Sequence, residues 1–107
     1  MKNYAFPKFS IVLGQNREEN TELIKNALPD DIWMHLADGP SPHVIIRVQG
    51  SVDFRILRSA ARILKQASKK RYENDVEMIW CRVRCITPSE VPGQVLIHGD
   101  DFQAFRL

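Results

Sequence analysis

Hydrophobic and polar residues alternate in two short segments that flank a turn rich in Gly and Pro, residues 38–42. Because successive side chains of a strand point to opposite faces, this pattern predicts a β-hairpin with one aliphatic face. The aliphatic positions are Ile32, Met34, Leu36, Val44, Ile46 and Val48. Any register that joins them also brings Trp33, His35, His43 and Arg47 together on the other face.

Two registers satisfy this requirement and differ by two residues. In one, Leu36 pairs with Val44 and Trp33 lies opposite Arg47, where a guanidinium over an indole is favourable. In the other, His35 lies opposite His43. The second face of the hairpin is either the half-buried, wetter side of a sheet or a binding surface, and the spacing favours neither.

A second pattern, with the helical period, covers residues 51–69. Its apolar positions are Leu57, Ala60, Ala61, Leu64, Ala67 and Ser68, and Ser51 or Asp53 is its predicted N-cap. Its basic positions are Arg55, Arg58, Arg62, Lys65 and Lys69, which fall within an arc of roughly 80° at 100° per residue. No acidic residue follows Asp53 on this helix, whereas a solvated helix face usually mixes charge signs.

The remaining pattern predicts strands at 9–13, 76–85, 94–98 and 102–107, and a helix from Asn16 to about Leu28 that Pro29 ends. Residues 1–8 are predicted to be a loose or edge segment, and Gly14 to allow a tight turn or a positive φ. The order β-α-β-β-α-β-β-β predicts an α+β fold. We expect a mixed, mainly antiparallel sheet with its two main helices on one face.

Composition and charge narrow the picture further. The chain has 107 residues, 44% of them hydrophobic, which suits a single domain over residues 1–107. It has no apolar run of membrane-spanning length and no signal-like N-terminus, so we expect a cytoplasmic protein that does not contact membranes. Cys81 and Cys85 would lie about 13 Å apart on a strand, too far for a disulfide.

The net charge of +2 hides a strong segregation. Residues 53–72 carry seven basic side chains and one acidic one, a net +6, so the rest of the chain carries −4. Since local fields follow local charge, the helix predicted here is a candidate surface for a polyanion.

The hairpin motif resembles the signature of the NFACT-R domain family, which has an Asp-x-Trp-Phe-His run followed by His-Val-x-x-Arg. Here the matching residues are Asp31, Trp33, His35, His43-Val44 and Arg47. Four further segments resemble family motifs in the right order: residues 14–23, 60–68, 76–83 and 92–95. Met34 departs from the usual Phe, and Ser41-Pro42 from the frequent Gly-Ser. The resemblance implies nucleic-acid binding, above all to RNA, and does not bring over the peptide-tailing activity of the large ribosome quality-control factors.

Our leading interpretation is a non-catalytic RNA-binding module for tRNA or rRNA, with a ribosome or ribosome-associated factor as a further partner and DNA as another ligand of the same chemistry. The candidate contacts are Trp33, His35, His43, Arg47, Arg55, Arg58, Arg62, Lys65, Lys69 and Lys70. Trp33 would stack on a base and the helix would hold phosphates. No cofactor or metal is expected. One alternative is a protein-interaction module that docks on an acidic partner. The other is a metal or hydrolytic site built from His35, His43 and Asp31, although no catalytic motif is present.

Overall fold

Two helices lie on opposite faces of a six-stranded sheet in the computed structural model, which describes residues 1–107. The strands are β1 (Lys2–Ala5), β2 (Phe9–Gly14), β3 (Ile32–Leu36), β4 (His43–Val48), β5 (Glu77–Arg82), β6 (Ile86–Pro88), β7 (Val95–Ile97) and β8 (Gln103–Arg106). The helices are α1 (Arg17–Asn26) and α2 (Phe54–Ala67), and a 3₁₀ turn spans Val83–Cys85. The predicted α+β class is confirmed.

The strand order of the large sheet is β1-β2-β4-β3-β5-β8, and β6 pairs with β7 in a separate two-stranded sheet. Every pairing is antiparallel, so the sheet contains none of the parallel pairs that a mixed sheet would have. The hairpin strands β3 and β4 occupy the centre, while the first and last strands form the two edges.

Side-chain caps fix where both helices begin. Asn16 accepts a 2.9 Å hydrogen bond from the Glu19 N–H at the start of α1. Asp53, not Ser51, caps α2, because its carboxylate accepts from the Ile56 N–H at 3.0 Å. α2 ends at Ala67 with Ser68 as its C-cap, so Lys69 and Lys70 lie in the following turn and not on the helix. Neither helix combines the length and the apolar character needed to span a bilayer.

A larger and a smaller core lie on the two faces of the sheet. The larger core joins the aliphatic face of the hairpin to α2, where the fully buried Ala60 and Ala61 allow the helix to approach the strands closely. The smaller core joins Leu23 and Ile24 of α1 to Trp33 and its neighbours. The prediction that both helices share one face is therefore wrong, because the second face is also apolar at its centre and requires its own cover.

Residues 2–5 form a regular strand, β1, paired with β2 at the edge of the sheet, so the edge alternative for residues 1–8 is the one found. The predicted strand over residues 76–85 ends at Arg82, where the chain turns so that Val83 N–H bonds to the Asp31 carbonyl at 2.8 Å. Ile86–Pro88 then forms β6, in a stretch predicted to be irregular from residue 87 onward.

Candidate nucleic-acid interface

The hairpin adopts the second of the two predicted registers. Ile32 pairs with Ile46 and Met34 with Val44, and the same register extended by one residue sets His35 against His43. The rings of these two histidines meet edge to face with centroids 4.7 Å apart. The register places the four signature side chains on the second face, where the rings of Trp33, His35 and His43 contact one another and Arg47 lies beside Asp31.

Trp33 and His43 form a buried hydrogen-bonded pair. Their exposed fractions are 2% and 3%, and the indole N–H of Trp33 donates to Nδ1 of His43 at 3.1 Å. Trp33 therefore offers no open face to a base, and its predicted role as a stacking platform is wrong for this structure. The physical reason is that α1 and the segment after β5 cover the second face of the sheet.

Burial also sets the protonation of both histidines. Desolvation, followed by the nearby His35, lowers the pKa of His43 to about 3. Desolvation lowers the pKa of half-buried His35 as well, although its Nδ1–H donates to the Leu36 carbonyl at 2.6 Å, which acts in the opposite direction. Both rings are thus neutral at physiological pH and carry no positive charge for a phosphate.

Arg47 is engaged by Asp31, which lies opposite it. Its Nη2 donates to Asp31 Oδ2 at 3.0 Å and its Nε lies 3.3 Å from both carboxylate oxygens. The hydrogen bond and the charge of Asp31 raise the pKa of Arg47. The buried Asp31 carboxylate also accepts from the Leu28 N–H at 2.8 Å, so the pair ties the end of α1 to the sheet.

The signature motif therefore forms an internal network from which only the half-buried His35 and the Arg47 side chain, 54% exposed, reach solvent. Asp31 binds Arg47, Trp33 binds His43, and His35 packs on both aromatic partners. No group of three or more His, Cys, Asp or Glu side chains comes together as a set of metal ligands. The proposed His35, His43 and Asp31 site thus lacks the donor set that a protein metal site requires.

The basic residues predicted for the helix lie on α2 and in the turn that follows it, on the side of the sheet opposite Trp33. Arg55, Arg58, Arg62 and Lys69 are exposed, and Lys65 and Lys70 are half-buried. None of the five ion pairs in the chain includes a residue from Phe54 to Tyr72. Lys65 donates to the main-chain oxygen of Leu107 at 3.3 Å and forms no ion pair with an Asp or Glu side chain.

Two exposed aromatic rings flank this surface, and the sequence analysis did not single them out. Phe54, at the start of α2, is 54% exposed, and the guanidinium of Arg58 lies 6.0 Å from its ring centroid. Tyr72, beyond the end of α2, is 89% exposed, with the Arg71 guanidinium 5.4 Å from its ring. The sequence signal for these two rings is an aromatic residue at each end of a run of basic residues. We call this surface the basic face: Phe54, Arg55, Arg58, Arg62, Lys65, Lys69, Lys70, Arg71 and Tyr72.

The predicted surface is therefore divided between two sides of the molecule. Trp33, His35, His43 and Arg47 lie on the α1 side of the sheet, and the six predicted basic residues belong to the α2 side. A single ligand surface that combines Trp33 with α2 is not formed, since the sheet separates them.

Comparison with known proteins identifies the fold. A family model described as the NFACT protein RNA binding domain matches residues 4–102. The chain belongs to this family. The NFACT-R resemblance inferred from the signature motif is thus confirmed, and that motif is the internal network described above.

Relatives of this NFACT-R chain are similar at moderate identity. They include the Coiled-coil domain-containing protein 25 homolog of Dictyostelium discoideum, 29% identical in an alignment of 103 residues that covers 88% of this chain and 50% of the relative. Another is the Rqc2 homolog RqcH of Bacillus subtilis (strain 168), 33% identical over 76 residues, which are 70% of this chain and 13% of that protein. The chain therefore spans half or less of the length of these relatives.

A solved structure shows a similar fold. The C-terminal part of the fibronectin/fibrinogen-binding protein of Streptococcus suis superposes with a TM-score of 0.83 at 26% identity. The match covers 94% of this chain and 41% of that one.

Proposed function

We propose that residues 1–107 act as one non-catalytic module that binds RNA, either tRNA or rRNA, on the basic face. The observation that carries the proposal is a run of seven basic side chains, residues 55–71, with no acidic partner, in a chain of the NFACT protein RNA binding domain family. Lys and Arg bind phosphates by releasing condensed counterions, and this term dominates nucleic-acid affinity.

The charge arrangement supports this use of α2. Like charges three and four residues apart on a helix repel one another, so a face without acids is less stable than a mixed one. A bound phosphate backbone removes that repulsion. The exposed rings of Phe54 and Tyr72 add sequence-tolerant stacking surface for unpaired bases.

The relatives support a link to translation. Two of them are named Rqc2 homolog RqcH. The NFACT-R resemblance described above also links this type of domain to the large ribosome quality-control factors. The proposal therefore includes a ribosome or ribosome-associated factor as partner and a cytoplasmic location. In this proposal the buried Trp33 and His43 and the half-buried His35 stabilise the fold, and the exposed Arg47 is held by Asp31.

Fluorescence anisotropy with labelled tRNA, single-stranded RNA and duplex DNA tests the proposal. We expect RNA binding at micromolar concentration or tighter, with a log–log salt slope of about −3 to −5. The variant Arg55→Glu/Arg58→Glu should weaken binding and make the slope shallower by about 1 to 2. An acidic residue at position 55 suits the first turn of a helix, so we expect the variant to fold.

The matched control is Lys8→Glu/Lys25→Glu, which changes the net charge by the same amount at exposed positions outside α2. Equal loss of affinity in both variants would show that net charge alone governs the interaction, and α2 would no longer be the proposed site. Absence of RNA binding at low salt would overturn the proposal.

A further inference from the structure

A groove of about 710 Å³ lies beside the basic face, between α2 and the edge formed by β1 and β2. Its volume lies in the range of sites that hold small ligands. Arg62 belongs both to the groove and to the basic face, so a strand that follows the face leads directly to the groove.

The lining of this groove is of three chemical kinds. Leu13, Ile63 and Ala67 supply a buried or half-buried apolar part, and the half-buried ring of Tyr4 lies beside it. Gln15 and Gln66 are exposed and present amide groups that both donate and accept hydrogen bonds.

The third kind is cationic. Lys2 and Arg62 are exposed, and no acidic residue lines the groove. A nucleotide has the matching chemistry, since it joins a flat base with donors and acceptors on its edge to an anionic phosphate.

From this match we infer that the groove holds one unpaired nucleotide of the bound RNA, with its base against Tyr4 and its phosphate between Lys2 and Arg62. The inference rests on the proposed function and adds that the ligand is single-stranded at this point. A base within a duplex cannot enter, because its edge is paired and its faces are stacked. Tyr4, and not the buried Trp33, is the ring on which this one base stacks.

The test compares a labelled single-stranded 12-nucleotide RNA with a fully paired RNA duplex of about the same length. Tyr4→Leu keeps an apolar side chain on β1 and removes the ring, and we expect it to weaken single-strand binding about tenfold and leave duplex binding unchanged. Tyr4→Phe keeps the ring and should bind as the parent does. Dispersed amide spectra of both variants establish that they fold.

A second measurement uses adenosine monophosphate alone as the probe in an amide-correlation titration. We expect the side-chain amide signals of Gln15 and Gln66 to shift in the parent and not in Tyr4→Leu. Shifts confined to other regions would overturn the inference.

The two proposals fail in different ways. If Tyr4→Leu binds the single strand as tightly as the parent while Arg55→Glu/Arg58→Glu binds weakly, the groove is not a nucleotide site and the basic face remains the RNA surface. If the parent binds neither RNA, the proposed function and the groove both fall.

Discussion

The indole N–H of Trp33 donates a 3.1 Å hydrogen bond to Nδ1 of His43, and both side chains are buried. The bond assigns the histidine tautomer, because an accepting Nδ1 leaves the ring proton on Nε2. The bond gives the indole N–H of Trp33 an acceptor and Nδ1 of His43 a donor, so burial leaves neither atom unpaired. The pair therefore stabilises the sheet only while His43 is neutral.

Replacing Trp33 by Phe should destabilise the fold without weakening RNA binding. The change leaves Nδ1 of His43 without its donor and opens space in the smaller core, at a combined cost of about 2–4 kcal/mol. Urea unfolding measures the first effect, and anisotropy with the folded variant measures the second. A folded Trp33→Phe variant with much weaker RNA affinity would restore Trp33 as a contact residue.

Acid should destabilise the protein through the two histidines. The folded-state pKa of His43, about 3, lies below the ordinary value of 6.5, so the unfolded state binds more protons between these values. Stability is thus unaffected above about pH 6.5 and falls below it, by up to about 1.4 kcal/mol per pH unit for this group alone. The lowered pKa of His35 acts in the same direction.

His43→Asn isolates this effect, because an amide oxygen can still accept from Trp33 but does not titrate. We expect a shallower loss of stability between pH 6.5 and 5 in urea titrations of this variant. His98→Asn makes the same replacement at an exposed position and is the control for the substitution itself. Identical profiles for parent and His43→Asn would contradict the assignment.

The Asp31–Arg47 pair should matter far more than the Asp30–Arg84 pair next to it. Asp31 is buried and also accepts from the Leu28 N–H, whereas Asp30 is 86% exposed. Asp31→Asn should cost about 1–3 kcal/mol, because it weakens hydrogen bonds to a buried charged group. Asp30→Asn should cost less than about 1 kcal/mol. Equal shifts of the urea midpoint in the two variants would contradict the larger role of the buried Asp31 carboxylate.

Gly14 should not tolerate a side chain, for a steric reason. Its φ is not positive, contrary to one of the two sequence interpretations, but a Cβ would overlap the Asn20 side chain and come within 2.8 Å of Leu23 Cδ1. Asn20 Oδ1 accepts from the His43 N–H at 3.3 Å, so Gly14→Ala should both cost about 1–3 kcal/mol and speed exchange of the His43 amide. Gly39→Ala meets no atom within 4 Å but has a φ of +76°, so it should strain the hairpin turn by about 1 kcal/mol while leaving the Asn20–His43 hydrogen bond in place.

Local patterns predicted the elements that carry strong periodicity. The hairpin followed from alternation on both strands, and α2 followed from the helical spacing of its alanines and basic residues. The sequence pattern did not distinguish edge strand β1 from a loose segment. Tyr4 is the only residue of β1 that is not exposed, so buried and exposed positions hardly alternate there.

The placement of the site depended on contacts that spacing does not encode. Leu23 and Ile24 show that α1 has an apolar side, but not which face of the sheet it covers. A Trp and a His can be buried together because their ring nitrogens satisfy each other, and this pairing is invisible until the register is known. The groove at Tyr4 brings Lys2 and Tyr4 together with Arg62 and Gln66, which lie about 60 positions further along the chain. No local sequence motif predicts this arrangement.

The central position of β3 and β4 has a consequence for the thermodynamics of binding. Each has a strand on both sides and a helix over each face, so its backbone can fluctuate only when the whole sheet opens. α2 rests on this part of the molecule through its buried alanines. An RNA strand that lies along α2 would meet cations whose backbone is already fixed, and association would lose little conformational entropy from the protein.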